Sequence, residues 1–119
     1  MRLLMSCIYA GQERSVATKE SELAEIKRFG GTPQKNSGRG AVKKGDGILE
    51  PFLVDVKEYA KSYSVSMSNW AKASSDAIKA GGYQPAINIV LGETNRVRVW
   101  VVSEDMFLEM LDAWKEKYE

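Results

Sequence analysis

The sequence has no histidine, one cysteine and three prolines in 119 residues. Without histidine there is no ordinary base for a serine or cysteine nucleophile, and no zinc set of the usual Cys/His kind. A lone Cys7 forms no internal disulfide and reads as a small buried residue, which fits a reducing, intracellular compartment such as the cytoplasm. No apolar run approaches the ~20 residues that cross a bilayer. The opening MRLLMSCIYAG is too short to do so and reads as an ordinary N-terminal segment, so no membrane partner is expected. Charge of neither sign dominates: the formal net charge is +1, and any basic surface must be local. A bound metal would have to be a hard cation held by oxygen, such as magnesium or manganese.

What remains is enough for one domain with one moderate core, residues 1–119, without visible repeats. Val16, Leu23, Ile26 and Phe29 recur at helical spacing and predict a first helix over Ser15–Phe29, stopped by Gly30-Gly31. The polar stretch GTPQKNSGRGAVKKGDG follows, with a short strand near Thr32–Asn36. Strands are predicted at Gly47–Glu50 and Phe52–Tyr59, hinged at Glu50-Pro51. Ser66 is placed to cap a second helix over Met67–Ala80, ended by Gly81-Gly82. Ala86–Leu91 and Arg96–Val102 read as a hairpin turning at Gly92–Asn95. Ser103 caps a last helix whose Met106, Phe107, Met110, Leu111 and Trp114 form an apolar stripe. The order α, hairpin, α, hairpin, α predicts an α/β architecture with a mixed central sheet flanked by helices.

Two carboxylates stand out within that layout. Alternation puts Leu53, Asp55, Lys57 and Tyr59 on one face of their strand and Phe52, Val54 and Val56 on the other. A hairpin symmetric about Glu50-Pro51 sets Asp46 directly across from Asp55. Like charges so placed repel unless something positive binds between them, so Asp46 and Asp55 with Lys57 beside them suit a divalent cation and a water. Acid-x-Lys alone is weak: a chain of this length contains about one by chance. Glu25-Ile26-Lys27 is a second copy, but on a helix residues i and i+2 diverge and cannot serve one metal. The plainer alternative for Asp55 and Lys57 is a solvent-facing ion pair, with Asp46 capping a turn.

The ordered set of motifs resembles the PD-(D/E)xK nuclease superfamily, and within it the phage-type and archaeal-type Holliday junction resolvases. A helix with Glu20 leads to Ser37-Gly38-Arg39-Gly40, then Lys44-Gly45-Asp46, Asp55-Val56-Lys57, a serine-capped helix with Trp70 and Lys72, and Gln84-Pro85-Ala86. The likeness spans about residues 18–102, with Gly45 in place of the proline and Asp55 where glutamate is usual. It implies a restriction-endonuclease-like core and metal-assisted phosphodiester hydrolysis. Asp46, Asp55, the Val56 carbonyl and Glu20 (Glu22 being the alternative) are implied to hold magnesium, for which manganese substitutes. Lys57 is implied to orient the attacking water or offset charge on the phosphate.

Glycine lets the loop backbone of Ser37, Gly38 and Arg39 approach a phosphate, and Arg39 can grip it bidentately. Lys35, Lys43, Lys44 and Lys72 are further candidates for DNA contact; taken singly each is as readily a solvated lysine. Trp70, Trp100 and Trp114 are expected as core or interface anchors. The implied function is a structure-specific endonuclease for branched DNA, a Holliday junction resolvase acting as a homodimer in the cytoplasm, or in the host cell if phage-encoded. A PD-(D/E)xK nuclease for other branched or duplex DNA, and a non-catalytic DNA-binding module of the same fold, are the alternatives. Asp46, Asp55 and Lys57 occurring together speak against the second.

Overall fold

A computed structural model of the protein describes residues 14–34 and 46–119, with Asp46 described by its backbone. The expected Ser37/Arg39 phosphate loop, with Lys35, Gly38, Lys43 and Lys44, and the expected buried Cys7 lie outside the described residues.

The chain forms an α/β structure in which helices flank a five-stranded mixed sheet. Helix α1 is Lys19–Arg28, and the strands that follow it are β1 (Thr32–Pro33), β2 (Asp46–Leu49) and β3 (Phe52–Tyr59). Then come α2 (Met67–Gly81), β4 (Gln84–Leu91), β5 (Val97–Val101) and α3 (Glu104–Tyr118). The spatial order of the strands equals their chain order. Both expected hairpins, β2–β3 and β4–β5, are antiparallel, and β3 pairs with β4 in parallel through the α2 crossover.

Helix α1 starts later than the periodicity predicts. Thr18 accepts from the Ser21 amide while the Ser21 hydroxyl accepts from the Thr18 amide, and this reciprocal cap fixes the start at Lys19. Val16 is therefore extended and hydrogen-bonded to the Glu58 carbonyl, and both Val16 and Leu23 are exposed rather than core. Ser66 and Ser103 cap α2 and α3 as expected, and Gly82, at φ 78°, closes α2 in the left-handed conformation that suits glycine.

Strand alternation divides the core into two layers. On one face Val54, Val56 and Ala86 pack against Ile26 of α1, with Phe29, Leu49, Phe52 and Val102 around them. On the other, Ile87 and Ile89 pack against Ala73 of α2, with Tyr63, Trp70, Leu91 and Val101. Phe29 meets Trp100 edge to face at 4.9 Å on the α1 side. Gly47 is part of the same packing: a Cβ there would lie 2.8 Å from the Ile26 side chain, so glycine lets α1 settle onto the hairpin.

Candidate functional site

Strand β2 runs into the sheet so that Asp46 is the register partner of Asp55, Gly47 of Val54, and Leu49 of Phe52. The two aspartates thus occupy opposed positions, as the symmetric hairpin required. Asp55 in turn pairs with Ile87 and Lys57 with Ile89, so both charged side chains share the face on which α2 packs. Val56 points the other way into the α1 layer, leaving only its backbone beside the acids.

Asp55 and Lys57 are each about one-third exposed, at 30% and 32% of the side chain, and their charged atoms are 3.5 Å apart. Tyr63 closes one side. Its ring lies 6.0 Å from the Lys57 ammonium and 5.1 Å from the ring of Tyr59, which shares the Asp55 face of β3. From α2, Lys72 and Asp76 form an ion pair at 3.0 Å, and the charges of both are felt at Asp55.

Burial pushes the Asp55 carboxyl above its ordinary value, Lys57 and Lys72 offset this in part, and Asp76 adds to it. Burial alone would lower the Lys57 ammonium, but Asp55, with Tyr63 and Tyr59, outweighs it and holds Lys57 above its usual value. Burial also raises the Tyr63 phenol. An acid and a base shifted in the same direction both favour the protonated form. At Asp55 the cause is loss of hydration, which Lys57 and Lys72 offset only in part, and at Lys57 it is the neighbouring Asp55 carboxylate.

Glu20 is not brought to these residues. It is exposed on α1, and the inward contacts of that helix go to the opposite face of the sheet through Ser21, Glu25 and Ile26. Glu22, the alternative, is half-buried on the same helix. No group of three or more acidic or cysteine side chains able to hold a metal occurs among the described residues, a set that does not include the Asp46 carboxylate. What the fold assembles on one face is the opposed Asp46 and Asp55 positions, Lys57, and Lys72 near them. By its donor chemistry, the partly exposed Asp55 carboxylate offers hard oxygen ligands of the kind that suit one divalent ion.

Sequence reasoning missed Tyr63 and Asp76. Asp76 was legible as the i+4 partner of Lys72 on α2. Tyr63 was not, because it follows the strand in an irregular segment where no periodicity aims a side chain. Also missed were two acids on the other face, Glu25 (5% exposed) and Glu58 (2% exposed). Glu58 was within reach of the same argument, since it alternates with Val54 and Val56 on the apolar side of β3. It accepts from Arg96 at 2.6 Å and from the Ser21 hydroxyl at 2.8 Å. Glu25 accepts from Arg28 and, at 2.8 Å, from Arg98.

No protein-family model, curated protein or solved structure matches this chain.

Proposed function

We propose that the protein is a divalent-metal-dependent DNA endonuclease with a restriction-endonuclease-like core, and that it resolves four-way DNA junctions as a homodimer. The observation that carries this reading is the register pairing of Asp46 with Asp55, with Lys57 on the same face and 3.5 Å from Asp55. Supporting it are the element order and the mixed sheet, which fit the resemblance to PD-(D/E)xK nucleases.

In this reading Asp46, Asp55 and the Val56 carbonyl hold magnesium, and manganese replaces it. When bound there, the ion would supply Lewis-acid activation for phosphodiester hydrolysis. Lys57 stays protonated because Asp55 raises it, so it presents a fixed ammonium to a phosphate oxygen or to the attacking water. Tyr63 and Tyr59 limit the directions in which that ammonium can turn. Lys72 supplies positive charge from α2 toward the DNA backbone, in balance with Asp76. Glu20 enters as a ligand only if α1 and the sheet rearrange on binding, so two carboxylates carry the site. The dimer follows from the substrate: a junction has two-fold symmetry, and two matched cuts call for a two-fold enzyme.

The test is cleavage of a synthetic four-way junction beside linear duplex and single strand of the same sequence, with magnesium, manganese or chelator, and with Asp55→Asn as control. Paired symmetric nicks in the junction alone, lost with chelator and in the variant, are expected. Equal cleavage of the linear duplex would redirect the reading to another nuclease of the same class. Binding without cleavage in any metal would leave a non-catalytic DNA-binding module.

A further inference from the structure

The third acid that the resemblance implies belongs to α1, and α1 packs on the face of the sheet opposite Asp55. The face that holds Asp55 receives an acid from α2 instead. Because α2 joins two parallel neighbours, β3 and β4, it runs antiparallel to both, and its C-terminal end returns to the start of β4. Ala73 anchors it on Ile87 and Ile89, the register partners of Asp55 and Lys57. About one turn further along α2, and so toward the Asp55 end of that pair, stands Asp76. Residues three apart are neighbours on a helix surface, so Asp76 flanks the buried Ala73, with 40% of its own side chain exposed. Its charge is felt at Asp55, as is that of Lys72. Strand β2 brings the Asp46 position to the same level of the sheet. Acidic positions from β2, β3 and α2 thus face one region.

An aspartate on this flank does not relieve Asp55. It adds to the burial that already disfavours the Asp55 carboxylate, and carboxylates in one neighbourhood are best tolerated where they share a cation. The partner of Asp76 is Lys72, at 3.0 Å. That pair exchanges easily, because lysine four residues before the acid is the weaker order on a helix and Lys72 is 73% exposed. We infer that Asp76 is the third carboxylate of the divalent-ion site, supplied by α2 in place of Glu20 and held off the ion by Lys72 until a DNA phosphate takes that ammonium. The inference rests on the metal-site reading of Asp46 and Asp55 and adds a regulation to it. DNA that engages Lys72 frees Asp76 for the ion, and by linkage an ion engaged by Asp76 frees Lys72 for DNA.

The test is titration of the full chain with Mn²⁺ in the absence of DNA, the free ion being followed by its electron paramagnetic resonance, so that the readout does not depend on cleavage. Asp55→Asn should weaken binding by about 10-fold or more, Asp76→Asn by about 3–10-fold, and Glu20→Gln by less than about twofold. Lys72→Met removes the restraint without DNA. It should tighten binding by about 3–10-fold while Asp76 is present and by less than about twofold in the Asp76→Asn background. Lys72 is exposed and Asp76 half-buried on the outer flank of α2, so unchanged helical circular dichroism is expected in all these variants. Equal tightening by Lys72→Met in both backgrounds would be simple repulsion of the ion by a lysine, and would overturn the inference. So would a loss in Asp55→Asn or Glu20→Gln with none in Asp76→Asn, which would leave the metal site standing without α2. A wild-type chain that binds no Mn²⁺ up to ~10 mM would refute the metal site itself, and this inference with it.

Discussion

The two faces of the sheet treat buried charge in opposite ways. On the α1 face Glu25 and Glu58 are almost wholly buried, yet each is met by guanidinium groups at 2.6–2.8 Å, Arg98 for Glu25 and Arg96 for Glu58. On the α2 face Asp55 is more exposed, and among the described residues its ion-pair partner is Lys57 at a looser 3.5 Å. The pKa directions record the difference. Burial would raise Glu25, but the hydrogen bonds and charges of Arg28 and Arg98 overcome it and hold the carboxyl below its usual value. At Asp55 burial wins. A charge that serves only the fold is compensated within the fold. On the other face the burial of Asp55 is offset only in part by Lys57 and Lys72, and that is the face on which the proposed chemistry lies.

The comparison breaks most visibly at Asp55. If the proposed function holds, Asp55→Asn is expected to cut junction cleavage by about a hundredfold or more, since one of the two proposed carboxylate ligands is lost. It should also leave metal-free stability equal or higher, because the ionised acid is disfavoured where it sits. Cleavage and thermal melting of the same preparation check both halves. If the Asp55→Asn substitution lowered both, Asp55 would be a structural ion like Glu58.

Glu58→Gln should do the reverse, leaving Arg96 facing a neutral amide. An unfolding free energy lower by about 2–4 kcal/mol is expected from urea titration, discounted for the partial exposure of Arg96. Catalysis per folded molecule should change little. Gly47→Ala tests the seating of α1 on the hairpin that carries Asp46, because the added methyl meets Ile26. Overpacking of this kind costs about 1–3 kcal/mol, read from the same titration.

The smallest effects concern pH. Glu25 is held below its unfolded value near 4.5, so its contribution is present at neutral pH and is lost as pH falls through the folded pKa. Asp55 lies above its unfolded value near 3.8, so its contribution is present in acid and is lost as pH rises from there through the folded pKa. Melting temperature against pH should therefore show a shallower acid limb in Glu25→Gln. In Asp55→Asn the gain over wild type should grow as pH rises through that window and then level off. Parallel curves for all three proteins would mean that neither acid is shifted by its surroundings.

Much of this was written in the chain. Local signals placed the serine caps, the glycine stops, both hairpins and the Asp46–Asp55 register, because capping, turn chemistry and strand alternation are set by neighbours a few residues apart. The same locality explains the errors. Ser15 to Thr18 carry a helical pattern, yet the reciprocal Thr18/Ser21 cap and the bond from Val16 to Glu58 pull them out of the helix. Glu20 lies at a plausible distance along the chain, but which face α1 covers is decided by Ile26 seating over Gly47, a contact between residues far apart in sequence. The sequence by itself determined the elements, the hairpin register and the charge on each residue. Only the tertiary structure decided which charges find partners, because Arg98 reaches Glu25 and Arg96 reaches Glu58 solely through the parallel joining of the two hairpins, a long-range pairing that no local pattern encodes.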